Sequence, residues 1–348
     1  MKYKVVPDTP DEAAALASGE FNLPTVDLMM PLLQTRSLMA GVRLGLFEAL
    51  RGGARTATEV ARELALDAEG VELVCRVLVC AGYLTRKDNQ YELTELARKH
   101  MLRDAPLSLS GFAEFNYLSW EWIGQLEEVV RTGRGIHVHH TMKEESAWES
   151  YQRAMLEGAR FEAPQAASLV PVKAGAVRLL DVGGSHGLIG AMICRLHPGL
   201  RSEVLDLPQA IEHDRKLAQE VGINDVVTHR AGDALTDDLG ADYDVIFLGN
   251  IAHHFTSEQN LTLLRRAKEA LTSGGTIAIW EAEQPGPEAE ADIFGDAFAL
   301  YFRLTSTSRV YTADEYAGWL SATGYEDVQV SRSPMCPWMV FIAGRCAK

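Results

Sequence analysis

Five short apolar runs in the second half of the chain constrain the fold most strongly. Each run has the length of a buried strand, and a segment with helical periodicity separates it from the next run. Strands that alternate with helices form a parallel sheet covered by helices on both faces. The pattern therefore predicts a doubly wound α/β domain over residues 174–348. The runs are VRLLDV, RSEVLDL, DVVTHRAGD, YDVIFLGN and GTIAIWEAE.

A glycine-rich turn, GGSHG, follows the first run, which carries Asp181 near its end. Open α/β sheets bind ligands at the carboxyl ends of their strands, and glycines let a ligand approach the backbone. Gly183, Gly184 and Gly187 do not have the i, i+2, i+5 spacing of a dinucleotide fingerprint. We therefore expect a ligand other than a pyrophosphate against this turn.

Carboxylates follow the next two runs. Asp206 stands where a carboxylate accepts hydrogen bonds from both ribose hydroxyls, although it could instead cap a helix starting at Pro208. Asp233 is placed to accept from an adenine amino group, with Ala234 beside the ring. A nucleoside without phosphates, met by carboxylates, points to S-adenosylmethionine, whose sulfonium cation suits an acidic chain.

The amino-terminal half has the pattern of a winged helix, which we assign to residues 21–105. A capping box at Thr56 and Glu59 starts one helix, a second helix follows, and a hairpin turns at residues 87–89. The second helix is acidic, whereas a groove-reading helix needs cations to contact phosphates, so we expect no nucleic-acid partner. Residues 22–50, crowded with Leu and Met, predict a long helix at a homodimer interface.

Composition limits the remaining possibilities. Residues 1–20 are polar and predict a flexible arm, and residues 106–173 predict a helical linker that contributes to the substrate pocket. The formal net charge of −15 disfavours nucleic acid and anionic membranes, and no apolar run is long enough to span a bilayer. Five cysteines without CxxC spacing indicate neither disulfides nor a zinc site. We expect a cytoplasmic protein with no membrane partner.

The chain carries, in order, the motifs LLDVGGSHG, VLDLP, AGDAL, LGNIAHHFTSEQNLTLLRRAKEAL and GGTIAIWEAE. Together they resemble the S-adenosylmethionine-dependent O-methyltransferases of the plant caffeate and hydroxyneurosporene type, whose bacterial members act on polyketides and other aromatic metabolites. The likeness spans about residues 22–345. It implies a Rossmann-like class I methyltransferase fold, a winged-helix dimerisation domain, a homodimer, and a small-molecule acceptor with an aromatic or polyketide-like hydroxyl.

The resemblance also implies roles for individual residues. The glycines line the methionine side of the cofactor, Asp206 holds the ribose and Asp233 the adenine. His253 takes the position of the catalytic base, and Glu281 that of the carboxylate which orients it. The cofactor residues that the resemblance implies are Asp181, Gly183, Gly184, Gly187, Asp206, Leu207, Asp233, Ala234 and Asn250.

A histidine base suits methyl transfer to a phenol. A phenol has a pKa of about 10 and is a weak nucleophile at neutral pH, whereas a neutral imidazole with a pKa near about 6.5 can take its proton as the bond forms. Such general-base catalysis contributes on the order of 10² to 10⁴ in rate. Glu281 ends the strand that follows the one leading to His253, so both side chains can point into one cleft. The alternative for His253 is a packing or capping histidine.

Two departures from the family pattern keep other functions open. Many plant members carry a second glutamate where this chain has Val310, and most have glycine and threonine where it has Ser185 and His186. Some relatives keep the cofactor but act in hydroxylation, decarboxylation or cyclisation, which is the alternative enzyme class. A ligand-sensing winged-helix regulator is the alternative outside enzymes.

The acceptor pocket and one histidine segment complete the candidates. By family position, Asn250 borders an acceptor pocket, although aromatic and Met side chains at helical spacing are commonly plain core. The segment HVHH, with His137, His139 and His140, could bind zinc or nickel, but its position in a loop without cysteine favours a solvated or pocket-edge loop. The resemblance implies no metal. The predicted acceptor residues are Tyr151, Met155, Phe298, Tyr301 and Thr305.

Overall fold

The computed structural model describes residues 5–19, 21–286 and 288–347. The chain divides into two units, one ending at Tyr117 and the other beginning at Leu118. This boundary falls inside the helix Ser110–Ile123, so it lies within the segment that the sequence predicts as a helical linker.

The unit that ends at Tyr117 contains the winged helix. The segment predicted as a flexible arm contains the helix Pro10–Ser18, in which no residue is buried; its residues 1–4 and 20 lie outside the described residues. The elements are α1 (Pro10–Ser18), α2 (Leu23–Arg43), α3 (Leu46–Ala49), β1 (Arg55–Thr56), α4 (Ala57–Leu64), α5 (Ala68–Cys80), β2 (Leu84–Lys87), β3 (Gln90–Leu93), α6 (Glu95–His100) and α7 (Ser110–Ile123).

Local sequence signals explain the winged helix. At the start of α4 the Thr56 hydroxyl accepts from the Glu59 N–H (3.3 Å), and the Glu59 carboxylate accepts from the Thr56 N–H (2.8 Å), which is the predicted capping box. The β2–β3 hairpin turns on Asp88 and Asn89, with φ of 48° and 65°, while Lys87 still belongs to β2. β1 adds a third strand by pairing with β3.

The single long helix predicted over residues 22–50 is two helices in the structure. α2 ends at Arg43, Gly45 has a φ of 80°, and α3 begins at Leu46. Such a φ favours glycine because a side chain is strained there, which explains the break. α2 exposes many large apolar side chains. They are Leu23, Leu28, Met29, Met30, Leu32 and Leu33.

The unit that begins at Leu118 contains the predicted α/β domain. Its first helices, which follow α7, belong to the segment predicted as a helical linker. The elements are α8 (Leu126–Thr132), α9 (Val138–Thr141), α10 (Glu145–Leu169), β4 (Arg178–Val182), α11 (Leu188–Leu196), β5 (Arg201–Asp206), α12 (Ile211–Glu220), β6 (Val227–Ala231), β7 (Tyr243–Gly249), a 3₁₀ turn (Ala252–His254), α13 (Ser257–Ala270), β8 (Leu271–Ala282), α14 (Ile293–Thr305), α15 (Ala313–Ala322), β9 (Tyr325–Ser333) and β10 (Cys336–Cys346).

In the described part of this unit, seven strands form one sheet in the order β6-β5-β4-β7-β8-β10-β9. The strands β4 to β8, which are the five predicted ones, run parallel to one another. β10 runs antiparallel to both β8 and β9, and the sequence analysis did not predict this pair. The strand order reverses between β4 and β7, and open α/β sheets bind ligands at the carboxyl ends of strands beside such a switch point.

Burial on both faces explains the continuous apolar sequence of the parallel strands. Val245 and Phe247 of β7 pack on one side of the sheet in the cluster that contains Trp280. Ile246 and Leu248 pack on the other side in a second cluster. Each such side chain contributes about 1.5–3 kcal/mol on burial, so the strand ends that carry polar residues have a rigid support. None of the helices in the described residues is long and apolar enough to cross a bilayer.

Candidate active site

The glycine-rich turn connects β4 to α11, at the carboxyl edge of the sheet. Gly183 and Gly187 have φ of 65° and 78°, conformations that favour glycine. Ser185 also has a positive φ, 52°, at a position where most family members have glycine. The turn is therefore sharply curved, and it brings its backbone N–H groups to the end of β5.

The glycines of this turn are packed against the protein itself. A Cβ on Gly183 would lie 2.2 Å from Ile251 Cδ1, and one on Gly187 would lie 2.6 Å from Val227 Cγ1. A Cβ on Gly184 would lie 2.4 Å from Cγ of Asp181. The sequence analysis attributed the absence of side chains to a ligand, whereas in the structure close packing alone already requires it.

Asp181 supports the turn from within the domain. Its side chain is buried and accepts a hydrogen bond from the Gly190 N–H. Burial and the negative charge of Asp206 raise the pKa of Asp181 to about 7, although the Gly190 N–H favours the charged form. The sequence predicts Asp181 at the cofactor, and the structure places its carboxylate against Gly184.

Asp206, at the end of β5, is hydrogen-bonded to the glycine-rich turn. One carboxylate oxygen accepts from the Ser185 N–H (2.9 Å) and the other from the Leu207 N–H (2.7 Å). Burial raises the pKa of Asp206, and these two N–H groups oppose that shift. The alternative that Asp206 caps a helix at Pro208 is wrong, because α12 begins at Ile211 and has Ala210 at its N-cap.

Asp233 and Ala234 follow β6 at the same sheet edge. The Asp233 carboxylate accepts from the Leu235 N–H (2.8 Å), and its own N–H donates to Asp237 (2.9 Å), so the loop has a fixed shape. Ala234 is buried, while Asp233 is partly exposed. The structure thus brings Asp206, Asp233 and the glycine-rich turn to neighbouring strand ends.

His253 and Glu281 meet in the domain interior, although they come from different strand ends. His253 lies in the 3₁₀ turn after β7 and is 1% exposed, and Glu281 lies in β8 and is 0% exposed. Nδ1 of His253 lies 2.8 Å from Oε2 of Glu281. Oε1 of Glu281 accepts from the Ala252 N–H at 2.5 Å, so both oxygens of this carboxylate hold the turn that carries the imidazole.

The other nitrogen of the same imidazole has no protein partner. His253 Nε2 is buried and makes no hydrogen bond to the described residues. The ring is flanked by Phe302, with ring centroids 3.8 Å apart, and by His254, at 4.1 Å. A buried polar atom without a partner is costly, which makes Nε2 the atom of this group that is suited to a ligand.

A row of imidazole and aromatic rings extends from His253 through His254 and His139 to Tyr151. The ring of His254 lies 4.7 Å from that of His139, and His139 Nε2 lies 3.1 Å from the Tyr151 hydroxyl. Burial lowers the pKa of His139 to about 4 and that of His254 well below its usual value, with neighbouring imidazoles adding to both effects. These two rings are therefore uncharged at neutral pH.

The five residues predicted around the acceptor have different surroundings in the structure. Tyr151 joins the imidazole row, and Phe298 packs parallel to Phe302 with ring centroids 6.1 Å apart, so both connect to the surroundings of His253. Tyr301 pairs with Ser119 at 3.1 Å. The remaining two have local partners. The Thr305 hydroxyl donates to the Tyr301 carbonyl at 2.9 Å, and the Met155 backbone pairs with the His186 ring.

No carboxylate stands at the position of the family's second glutamate. Val310 is buried in the hydrophobic core, and the adjacent Arg309 pairs with Glu315 at 2.7 Å. Glu281 is therefore the carboxylate that contacts His253 in the described residues.

Sequence reasoning missed two polar groups near these strand ends. Glu162 of α10 accepts from Asn250 Nδ2 and from Trp280 Nε1. In the second group, the Ser185 hydroxyl donates to Gln152 and lies 3.4 Å from the buried Asp214. α10 carries several carboxylates, and no sequence signal distinguishes the one that contacts Asn250 and Trp280.

The HVHH segment forms the short helix α9 rather than a loop. Nδ1 of His137 lies 2.7 Å from Nδ1 of His140, and His139 points toward Tyr151 instead. Within the described ranges, no group of three His, Cys, Asp or Glu side chains is arranged to hold a metal ion.

Three features of this unit define a class of protein. They are the mostly parallel seven-stranded sheet with an antiparallel strand inserted beside β9, the glycine-rich turn after β4, and the carboxylate at the end of β5. They are the features of Rossmann-like class I methyltransferases that use S-adenosylmethionine.

Comparison with known proteins identifies the family within this class. A family model described as the O-methyltransferase domain matches residues 125–326, and one described as the O-methyltransferase dimerisation domain matches residues 26–103. The chain therefore belongs to the O-methyltransferase family and is an S-adenosylmethionine-dependent methyltransferase.

Relatives of similar length support this assignment. The 3-hydroxy-5-methyl-1-naphthoate 3-O-methyltransferase of Streptomyces sahachiroi is 28% identical over 88% of this chain and 90% of the relative. The tetracenomycin polyketide synthesis 8-O-methyl transferase TcmO of Streptomyces glaucescens is 27% identical over 88% of this chain and 92% of its own. The crystal structure of human N-acetylserotonin methyltransferase in complex with SAM has the same fold, with a TM-score of 0.83 at 20% identity, covering 99% of this chain and 100% of that one.

Proposed function

We propose that the enzyme transfers a methyl group to a hydroxyl of an aromatic or polyketide-like small molecule, with His253 as the general base. The observation that carries this proposal is the asymmetry of the buried imidazole. Nδ1 is held by Glu281, whereas Nε2 is buried without a partner. An acceptor hydroxyl would complete the hydrogen bonding of Nε2.

The carboxylate partner selects the reactive form of the base. An ionised Glu281 only accepts hydrogen bonds, so Nδ1 of His253 carries the proton of the neutral ring and Nε2 keeps its lone pair. Bound S-adenosylmethionine would supply a methyl carbon on a sulfonium, whose sulfur is a leaving group that keeps the electrons of the carbon–sulfur bond. As the acceptor oxygen bonds to that carbon, Nε2 takes the hydroxyl proton. Glu281 then stabilises the imidazolium that forms.

The side chains at the strand ends suit the hydrogen-bonding groups of S-adenosylmethionine. Each oxygen of Asp206 accepts one backbone N–H and keeps lone-pair capacity, which suits two ribose hydroxyls. Asp233 is accessible and suits the adenine amino group, with Leu207 and Ala234 beside the ring. We expect Asp206→Ala to weaken cofactor binding by about 1–3 kcal/mol, because the hydroxyls lose a charged partner. An unchanged dissociation constant in calorimetry would reject this assignment.

Two features support an aromatic acceptor. The ring of Phe298 packs on that of Phe302, which in turn packs on the ring of His253. The neutral rings of His139 and His254 add polar edges without charge. Of the relatives described above, one is named for a hydroxynaphthoate that it methylates and another for tetracenomycin polyketide synthesis. A flat hydroxylated molecule matches this combination of aromatic faces and uncharged hydrogen-bonding edges.

The exposed apolar residues of α2 support a homodimer formed through the amino-terminal unit. Leu28 is 76% exposed, and five further large apolar side chains of the same helix are exposed. Many exposed large apolar side chains on one helix are typical of a subunit interface. The match to a dimerisation domain over residues 26–103 agrees with this proposal.

The test of the base is His253→Ala, with His197→Ala as the matched control. His197 is the C-cap of α11, and within the described part of the chain its side chain forms no hydrogen bond or ion pair with the site residues. With a hydroxynaphthoate acceptor, we expect His253→Ala to lower the rate of S-adenosylhomocysteine formation by about 10² or more. Calorimetric affinity for S-adenosylhomocysteine should be unchanged in both variants. Normal turnover in His253→Ala would refute proton transfer to this residue.

A further inference from the structure

Glu162 is a carboxylate whose partners are all neutral. Its Oε2 accepts from Asn250 Nδ2 at 3.0 Å and from Trp280 Nε1 at 3.1 Å. No Lys, Arg or His in the described residues forms an ion pair with it, whereas Glu220, which contacts the same helix, pairs with Arg153. Glu162 is therefore held in place without charge compensation.

This arrangement has an energetic consequence. Glu162 is partly buried, and burial raises the pKa of its carboxyl group, while donation from Trp280 and Asn250 lowers it and the charge of Glu281 raises it further. The two N–H donors favour the ionised form against the effect of burial, and they fix the direction of the carboxylate. A carboxylate that is oriented but lacks a cation is suited to a cationic ligand.

The register of the sheet places Glu162 beside the glycine-rich turn. β4 and β7 are parallel, with Val182 opposite Leu248, so the residues that follow, Gly183 and Asn250, lie at the same sheet edge. The neighbouring Ile251 side chain would lie 2.2 Å from a Cβ on Gly183, which shows how closely the two segments approach. Glu162, bonded to Asn250, therefore borders the turn.

We propose that Glu162 binds the α-ammonium group of the methionine part of S-adenosylmethionine. This inference rests on the proposed function for the orientation of the cofactor, with its methionine end along the glycine-rich turn. The cofactor carries two cationic groups. Its sulfonium has to face the acceptor hydroxyl and His253, which leaves the ammonium for a carboxylate at the turn. Asn250 then acts as a positioning residue that orients Glu162.

The test compares two nucleosides that differ in the amino-acid part. S-adenosylhomocysteine carries the ammonium group, and 5′-methylthioadenosine lacks the whole amino-acid part. We choose Glu162→Gln because the amide oxygen can still accept from Asn250 and Trp280. The matched control is Glu149→Gln, which removes the same charge from an exposed position on α10.

We expect Glu162→Gln to weaken S-adenosylhomocysteine binding in calorimetry by about tenfold to a hundredfold, the usual loss for one hydrogen bond to a charged group. Binding of 5′-methylthioadenosine should be unchanged, and Glu149→Gln should bind both as the unaltered enzyme does. Equal weakening of both nucleosides would indicate a structural role and overturn the proposal, as would unchanged or tighter S-adenosylhomocysteine binding. An unaltered enzyme that bound neither nucleoside would overturn the proposed function itself, and this inference with it.

Discussion

Replacing Gly184 with alanine tests whether the glycine-rich turn is constrained by the protein's own packing. The added methyl would lie 2.4 Å from Cγ of Asp181 and 2.5 and 2.6 Å from its two carboxylate oxygens. These distances are far below van der Waals contact. Gly184 does not have a positive φ, so the expected effect is steric and not a backbone preference.

The magnitude follows from how little Asp181 can move. Its side chain is 2% exposed and accepts from the Gly190 N–H, and a Cβ on Gly190 would itself lie 2.8 Å from the carboxylate. Overpacking a core costs about 1–3 kcal/mol, and a lost buried hydrogen bond adds about 1–2 kcal/mol. We therefore expect Gly184→Ala to lose about 2–5 kcal/mol, a large part of the roughly 5–15 kcal/mol of a typical domain.

The assay is urea unfolding of the cofactor-free enzyme, followed by circular dichroism. Gly158→Ala is the matched control, because Gly158 lies inside α10 and a Cβ there meets nothing within 4 Å. We expect this control to gain about 0.5–1 kcal/mol from helix propensity. If Gly184→Ala unfolded at the unaltered midpoint and only lost cofactor affinity, the packing argument would be refuted in favour of a ligand against the turn.

Three further predictions address the base, the buried aspartate and the dimer. Glu281→Gln should reduce turnover by about 10² or more with little change in KM, measured by initial rates, because the amide can donate to His253 and no longer stabilises an imidazolium. For Asp181, the native pKa of about 7 exceeds the unfolded value of about 3.9, so stability falls as pH rises from about 4 to 7. Urea unfolding at pH 5 and 8 should show Asp181→Asn gaining on the unaltered enzyme by about 2.7 kcal/mol, because about two pH units separate pH 5 from the native pKa. An equal pH dependence of the two proteins would contradict the pKa. Leu28→Glu should shift sedimentation toward the monomer, whereas Val130→Glu, equally exposed on α8, should leave the dimer intact.

The parallel strands and helix starts could be predicted because their signals are local. Burial on both faces requires continuous apolar runs, and the capping box at Thr56 and Glu59 forms with near-neighbour bonds. The approach of His253 and Glu281 followed from the order of two strands, since parallel strands end at one sheet edge. Their catalytic role remains a prediction.

Other features depend on contacts that no local pattern contains. β9 was missed because about half of it is exposed and its side chains do not form an apolar run. β10 does contain a buried apolar run, but its antiparallel pairing with β8 and β9 depends on tertiary contacts. The break after α2 depends on the backbone angle of Gly45, which the sequence pattern does not contain. The hydrogen bonds of Glu162 depend on the positions of Asn250 and Trp280 in the folded chain. The packing of Asp181 and Ile251 against the glycines was not predicted for the same reason, because it forms through tertiary contacts. A ligand against the turn remains a prediction.

The charge at these strand ends connects stability to cofactor binding. Asp181 and Asp214 are buried beside the half-buried Asp206, and burial with the charge of Asp206 raises the pKa of Asp214 to about 9. Oδ2 of Asp214 also lacks a hydrogen-bond partner in the described residues. Such groups cost the unliganded fold free energy, and a cationic cofactor with ribose hydroxyls offsets part of this cost. S-adenosylmethionine should therefore raise the urea midpoint of unfolding. At a cofactor concentration of about a hundred times its dissociation constant, the free energy of unfolding should increase by about 2.7 kcal/mol.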